Sequence, residues 1–463
     1  MDTLKKEKLN LETAASVLVD YGLQAGADSA EVCGSFGQRS RISLEKQDFH
    51  LASTDDGYLL GIRVLVGKSQ GFCSINSLEK NELKEMAHRA VQIAKISPEN
   101  PHCSLEAPLA SKSSPSPLPL WDSSLANISL RTQKDWVQWM KNEILKDSRI
   151  RLNEGSLEVG KDLSLLINSR GVHQVEAETH CVWSLMAMAA QDQVLTSFDT
   201  CSHLLRTEKG LAEKILSTTK TFAQSLLKNL NLGTARNYRG LVLFSPRAVL
   251  DILIDSLMYH LNGRVVMEGS SRWHLTHKES EIVHSELHLT DTAWNPARFG
   301  CGAFDREGTP TQDLCLIDHG KLSSFLFDNY SAKGLHQSST GHASGGPSSL
   351  PSVGAHSLSL AGGTLSLAKL LSQSDPSKQG VLWVNRYSGQ TDPVTGDFSG
   401  VAKSSEWWVG GEFSHCVKET LISGNVFECL GKNLVALSKE TQVVDDSNES
   451  PTLLADGVSV TTN

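Results

Sequence analysis

Apolar positions recur at helical spacing over residues 11–22, then give way to short runs of β-forming residues separated by Gly, Asp and Ser. AEVCGSF, RISLEKQ, YLLGIRVLVG and QGFCSI read as strands. Ser77 is placed to open a second helix, SLEKNELKEMAHRAVQIAK, with Leu83, Met86, Ala90 and Ala94 on one face. These elements predict a small amino-terminal α+β domain over residues 1–103.

Periodicity then stops. Pro108, Pro115, Pro117 and Pro119 stand among serines, which predicts an extended connector over residues 104–121. A middle domain, residues 122–231, opens with a helix near 132–145. LSLLINS and VHQVEAETHCVWSLMAMAA follow as strands, joined by Asn168-Ser169-Arg170-Gly171, where Asn and Gly are expected to supply positive φ. A helix over 211–230 closes the region.

Residues 232–463 read as a strand-rich domain: SELHLTD, TQDLCLID, KLSSFLFD, HSLSLA, GVLWVNR and WWVGGEFSH, with a helix over 364–371 and a Gly/Ser-rich loop over 338–354. One long helix stands apart. Its entry is a strand at 241–244, Ser245 as N-cap and Pro246 in the first turn. Its exit is Asn262-Gly263, with the glycine expected as the residue just past the helix end. The fold class is α+β.

The 463 residues suffice for two or three domains, and 39% hydrophobic with 21% charged residues is ordinary for a globular chain. A net charge of −9 without a Lys/Arg block argues against nucleic acid as a partner. No run reaches the ~18–20 apolar residues of a membrane span. The opening MDTLKKEKLN mixes acids and bases, unlike a signal peptide. Nine cysteines without a CxxC pair fit reduced thiols, and the expected location is cytoplasmic.

The stretch Arg239 to Ser271, RGLVLFSPRAVLDILIDSLMYHLNGRVVMEGSS, resembles the core helix of the TldD/PmbA (TldE) family, also called modulator of DNA gyrase. In the TldD branch this helix carries HExxxH, two zinc-binding histidines and a general-base glutamate, just before Leu-Glu-Gly. Counted back from Leu261-Asn262-Gly263, those positions are Ile254, Asp255 and Tyr259. Isoleucine has no donor atom and tyrosine is a poor substitute for imidazole. Other stretches resemble the PmbA/TldE branch: Gly-Ile-Arg-Val at 61–64, FDREGTPTQDLCLIDHGKLSSFLFDNYSAKGL at 304–335, Thr-Gly-Asp-Phe-Ser at 395–399 and SPTLLADG at 450–457. Ser339-Thr340-Gly341-His342-Ala343 is similar to the family's Ser-Thr-Gly-Asn-Ala, with His342 in place of Asn. TldD-type members also use a cysteine in Cys-Gly-Lys. Here Cys429 is followed by an extra Leu430, and it reads as a core thiol.

Rival chemistry is thinner. His274, His277, His284 and His288 crowd WHLTHKESEIVHSELH, and two of them are four apart, but loop and strand character would hold them apart. Ser339, Ser344 and Ser348 lack a Gly-x-Ser-x-Gly setting and an identifiable base. Gly61, Gly67 and Gly71 make no phosphate loop. Asp251 and Asp255, four apart, read as a solvated or interface face of the helix, with a remnant acid pair as the alternative. Asn262, Arg264 and Glu268 are the candidate peptide or partner contacts, with helix capping and an Arg264–Glu268 pair as the structural alternative.

The resemblance implies a PmbA/TldE-like, catalytically silent subunit with no metal or cofactor of its own. A TldD-type paralogue would be its heterodimer partner, carrying the zinc that polarises a peptide carbonyl and the glutamate that activates water. Unfolded or leader peptides are the implied substrates. Two alternatives remain open: an autonomous metallopeptidase with a relocated metal site such as the 274–288 histidines, and a homodimeric peptide-binding protein.

Overall fold

A computed structural model describes residues 2–107, 118–374 and 379–462. α1 (Asp2–Gln24) leads into an antiparallel sheet of β1 (Ser29–Glu45), β2 (Asp48–Val66) and β3 (Ser69–Ile75). AEVCGSF and RISLEKQ, expected as separate strands, are one strand. Partners on both sides supply the ladder, so Gly37 between them does not break it. α2 (Lys80–Ile96) begins later than expected, with Glu79 as cap, while the Ser77 hydroxyl accepts from Glu79 N at 3.1 Å.

α3 (Leu130–Ile144) precedes β4 (Ile150–Asn168), β5 (His173–Gln191), β6 (Asp199–Leu205) and α4 (Leu211–Lys228). β4 pairs with β1 from Glu31↔Asn168 to Glu45↔Glu154. Residues 1–103 and 122–231 therefore share one sheet, in the order β3-β2-β1-β4-β5, with β6 on β5. Pro108, Pro115 and Pro117 of the connector lie outside the described residues. Its ends are anchored: Leu105 and Leu120 are buried, and Thr179 N donates to Leu120 O at 2.9 Å. The β4–β5 hairpin uses only Gly171 at positive φ, +97°. Asn168 instead accepts from Arg170 N at 2.9 Å and Val172 N at 3.1 Å through its side chain.

Alternate residues of β1 point into two cores. Val32 and Phe36 pack with α1 and α2, while Ile42 and Leu44 pack with α3 and α4. The intervening residues face a polar cleft of about 1030 Å³, floored by Arg39, Glu158, Asp162, Glu178 and His180.

In the carboxy-terminal region, β7 (Tyr238–Phe244) pairs parallel with β8 (Val381–Val384) and antiparallel with β10 (Asn448–Thr461), and β9 (Glu406–Val409) extends the sheet from β8. Several strands are shorter than their apolar runs: SELHLTD pairs over Leu289–Asp291 alone and KLSSFLFD over Lys321–Leu322. The helix expected at 364–371 runs Leu367–Gln373, because Ser366 caps it at Lys369 N. Asn329–Gly334 and Val426–Cys429 are further helices, too short for periodicity to reveal.

The central helix starts as its sequence dictates, with the Ser245 hydroxyl accepting from Ala248 N at 3.1 Å and Pro246 in the first turn. It is not uniform. A π segment, Val249–Ile254, passes into α-helix over Asp255–Leu261. The chain then breaks at Asn262 (ψ 118°), and a short second helix, Gly263–Met267, follows. Gly263 does follow the Asn262 cap, as expected, but it opens this second helix and is not at positive φ. Its N–H bonds Leu326 O at 2.8 Å, and a Cβ there would stand 2.4 Å from the Phe327 ring. Close approach requires this glycine.

Candidate functional site

The apolar face of the central helix is sealed into the main core with Phe244, Phe325, Phe398 and Leu453. Ile254 is 1% exposed in that core, whereas Asp251 and Asp255 project to solvent and Tyr259 is half-buried. The helix that ends at Cys429 packs on the π segment, and the thiol is 2% exposed. Burial pushes this thiol up to about 12, so it stays protonated at neutral pH. Zinc binding needs several convergent donors, with any thiol as thiolate. Ile254 has no donor atom and Tyr259 no imidazole, so Ile254, Asp255, Tyr259 and Cys429 do not make up such a set. The helix is widened into a π segment over Val249–Ile254, a feature often found at functional sites.

His260, which periodicity did not single out, is wholly buried next to Tyr259. Its Nδ1 accepts from Arg272 N at 3.1 Å, and its ring packs on Trp273 and Phe427. The Arg272 guanidinium lies 3.6 Å from the Phe427 ring centroid. Burial, and then the Arg272 charge, lower the His260 pKa, so it is a neutral packing residue.

Asn262 caps the second helix through Arg264 N at 2.9 Å. Arg264 does not pair with Glu268. Its Nε donates to Asp328 Oδ2 at 2.8 Å, Nη2 reaches the same oxygen and Pro351 O, and the guanidinium stands 5.0 Å from the Tyr330 ring. The fully buried Asp328 carboxylate needs a cation more than the exposed Glu268 does. Glu268 has no ion pair among the described residues.

A larger charged network joins the two regions of the chain. Arg63 on β2 donates to Glu31 at 3.0 Å and Glu307 at 3.2 Å, and Arg306 donates to Glu31 at 2.9 Å. All four are buried. Burial works to raise the Glu31 carboxyl, but Arg63 and Arg306 hold it below its ordinary value. Glu307 is pushed by burial up to about 7, with Arg63 pulling the other way. Asp305 accepts backbone N–H bonds from Glu307, Thr309 and Ala343, each 2.9 Å, which shapes the Asp-Arg-Glu-Gly turn. This network was invisible as a site in the sequence, because its bonded partners lie up to 275 positions apart.

The four crowded histidines do not converge. His277 Nδ1 accepts from His274 N at 2.9 Å, His284 Nδ1 accepts from Glu286 N at 3.2 Å, and His288 alone joins a donor group, with Cys315 and Asp318. Two other groups stand elsewhere: Asp162, Glu178 and His180 in the polar cleft, and Asp291, His342 and His356. Among the described residues no histidine bonds Ser339, Ser344 or Ser348, and the Ser339 hydroxyl faces Phe327 O at 3.3 Å.

Residues 238–462 match the model for the PmbA/TldA metallopeptidase C-terminal domain, and residues 30–94 match that for PmbA/TldA metallopeptidase domain 1. The chain belongs to the PmbA/TldD family. A metalloprotease PmbA homolog of Haemophilus influenzae is 25% identical over 443 residues, 95% of this chain and 93% of the relative. A metalloprotease of Methanocaldococcus jannaschii is 22% identical over 92% of this chain and 91% of its own. The crystal structure of TldE from Thermococcus kodakarensis superposes with a TM-score of 0.83 at 23% identity, covering 97% of this chain and all (100%) of that one. Its α+β fold is therefore that of the PmbA/TldE metalloprotease-like group. No helix among the described residues is long and apolar enough to cross a membrane.

Proposed function

We propose that this chain is the PmbA/TldE-like, non-catalytic subunit of a zinc metalloprotease pair, whose TldD-type partner carries HExxxH and the zinc. The observation that carries this reading is the central helix. A long helix with a π segment stands at this place in the fold, but Ile254 fills the counted ligand position with hydrocarbon and the Cys429 thiol is buried in the core. The chain contributes a wall of the substrate chamber and holds an unfolded or leader peptide in extended form against a strand edge.

Co-expression with TldD-type proteins from the same source tests this. The expected result is a stable complex that cleaves an unstructured peptide, with each chain silent alone and a chelator abolishing cleavage by the pair. Cleavage by this chain alone would support the autonomous-peptidase alternative and overturn the reading. Peptide binding by a homodimer, with no complex formed, would overturn it in favour of a binding protein.

A further inference from the structure

The Asp291 carboxylate and the His342 ring are both fully buried (0% side-chain exposure), with His342 Nε2 2.8 Å from Asp291 Oδ2. The His356 ring lies tilted by 45° against that of His342, ring centroids 4.8 Å apart. One donor atom from each of the three residues lies within 4.8 Å of the others. His356 is also on the wall of a cleft of about 360 Å³ that Cys33, Glu176, Cys301 and Arg306 help to line. The deep pair thus has a path to solvent through its third member.

The surrounding bonds orient the rings. His356 Nε2 faces Gly341 O at 2.8 Å, and a carbonyl can only accept, so this nitrogen carries the hydrogen and Nδ1 keeps its lone pair. Among the described residues no hydrogen bond engages that Nδ1. His342 Nδ1 meets the Thr340 hydroxyl at 2.9 Å, which leaves Nε2 as the inward-facing atom. A ligating histidine ordinarily has its second nitrogen fixed in this way. Asp291 is fixed too, accepting from His356 N at 2.8 Å and Ser357 N at 2.6 Å.

We propose that Asp291, His342 and His356 form a divalent transition-metal site, open to the cleft on the His356 side and separate from the central helix. Two imidazoles and one carboxylate are a donor set that zinc and iron(II) accept. With ligand bonds of about 2.0–2.2 Å, donors on one ion stand roughly 3.3 Å apart, so the present spacing closes on an ion with small ring movements. The ion takes the place of the hydrogen shared by His342 and Asp291. It ties the strand Leu289–Asp291 to the loop that carries both histidines.

Zinc titration of the metal-stripped full chain, with bound metal counted after desalting, is the test. One equivalent is expected in wild type, together with a rise in Tm. His342→Asn places there the residue of the similar Ser-Thr-Gly-Asn-Ala run, and His356→Ala removes the ligand on the cleft wall. Each is expected to weaken zinc binding by at least about 100-fold and abolish the Tm rise, with circular dichroism unchanged. His288→Asn and His180→Asn should bind zinc like wild type. No zinc on folded wild type, or equal binding by wild type and both His342 and His356 variants, overturns the site. Partner-dependent peptide cleavage is expected to persist in His342→Asn, so loss of this site and failure of the subunit reading give different results.

Discussion

Arg306 donates to Glu31 at 2.9 Å across 275 positions of sequence, and both residues are buried. Glu31 lies on β1 of the amino-terminal sheet and Arg306 in the turn that also holds Asp305, so this bond fastens the two regions together. Glu31 balances two guanidiniums, those of Arg63 and Arg306. Glu31→Gln keeps the shape and removes the charge. A broken buried ion pair costs about 3–5 kcal/mol, because the surviving charge is left uncompensated. Denaturant midpoints of wild type and variant measure this, and a loss under about 1 kcal/mol would show that the network is not holding the regions together.

Glu307, in the same network, gives a pH signature. Its carboxyl titrates near 7 in the fold against an ordinary 4.5. A raised folded value means a stabilising contribution fully present below about pH 4.5 and lost as pH rises through 7. Glu307→Gln cannot titrate. The stability of wild type relative to this variant is expected to fall by about 3 kcal/mol between pH 4.5 and pH 8. Parallel pH–stability curves would contradict the assignment.

Arg264 separates two acids that its sequence makes look interchangeable. Asp328→Ala strands a guanidinium and uncaps the helix Asn329–Gly334, whose Ser331 N bonds the Asp328 carboxylate at 2.9 Å. A loss of about 3 kcal/mol or more is expected. Glu268→Ala, at an exposed residue, is expected to stay within about 0.5 kcal/mol. Thermal melts of the two variants check the pair, and comparable losses would restore the Arg264–Glu268 alternative.

What was legible in the sequence was local. Ser245-Pro246 announces a helix start because capping is settled within four residues. The chain from Ser29 to Glu45 was cut in two because Gly34 and Gly37 look like breakers until Leu60, Gly57 and the β4 strand are in place. Gly263 stands just past the cap of the first helix, but what requires a glycine there is the approach of Leu326 and Phe327, which the sequence does not show. His274, His277, His284 and His288 drew attention by crowding in sequence, whereas Asp291, His342 and His356, 51 and 65 positions from Asp291, meet only in the fold.

Ile254→His asks whether one added ligand gives the central helix metal chemistry. Position 254 is inside the core, and burying an imidazole there without a partner is expected to cost about 1–3 kcal/mol. Tyr259 and the Cys429 thiol still fail as ligands, so the isolated variant should not cleave peptide. Tm and a cleavage assay with added zinc decide it, and zinc-dependent cleavage by the variant alone would refute this account of the helix.

Two glycines four residues apart on β2 should respond in opposite directions to the same methyl group. A Cβ on Gly61 would lie 2.0 Å from Pro347 O and 2.9 Å from Pro347 C, against backbone of the loop that follows His342. Backbone cannot swing aside as a side-chain tip can, so Gly61→Ala must push the loop off the sheet, at about 1–3 kcal/mol. A Cβ on Gly57 meets nothing within 4 Å, and its φ is not positive. Gly57→Ala therefore only reduces the freedom of the unfolded chain and is expected to stabilise by about 0.4–1 kcal/mol. Urea midpoints of the two variants should move to opposite sides of wild type. If both move down together, the packing of this loop on β2 is wrong.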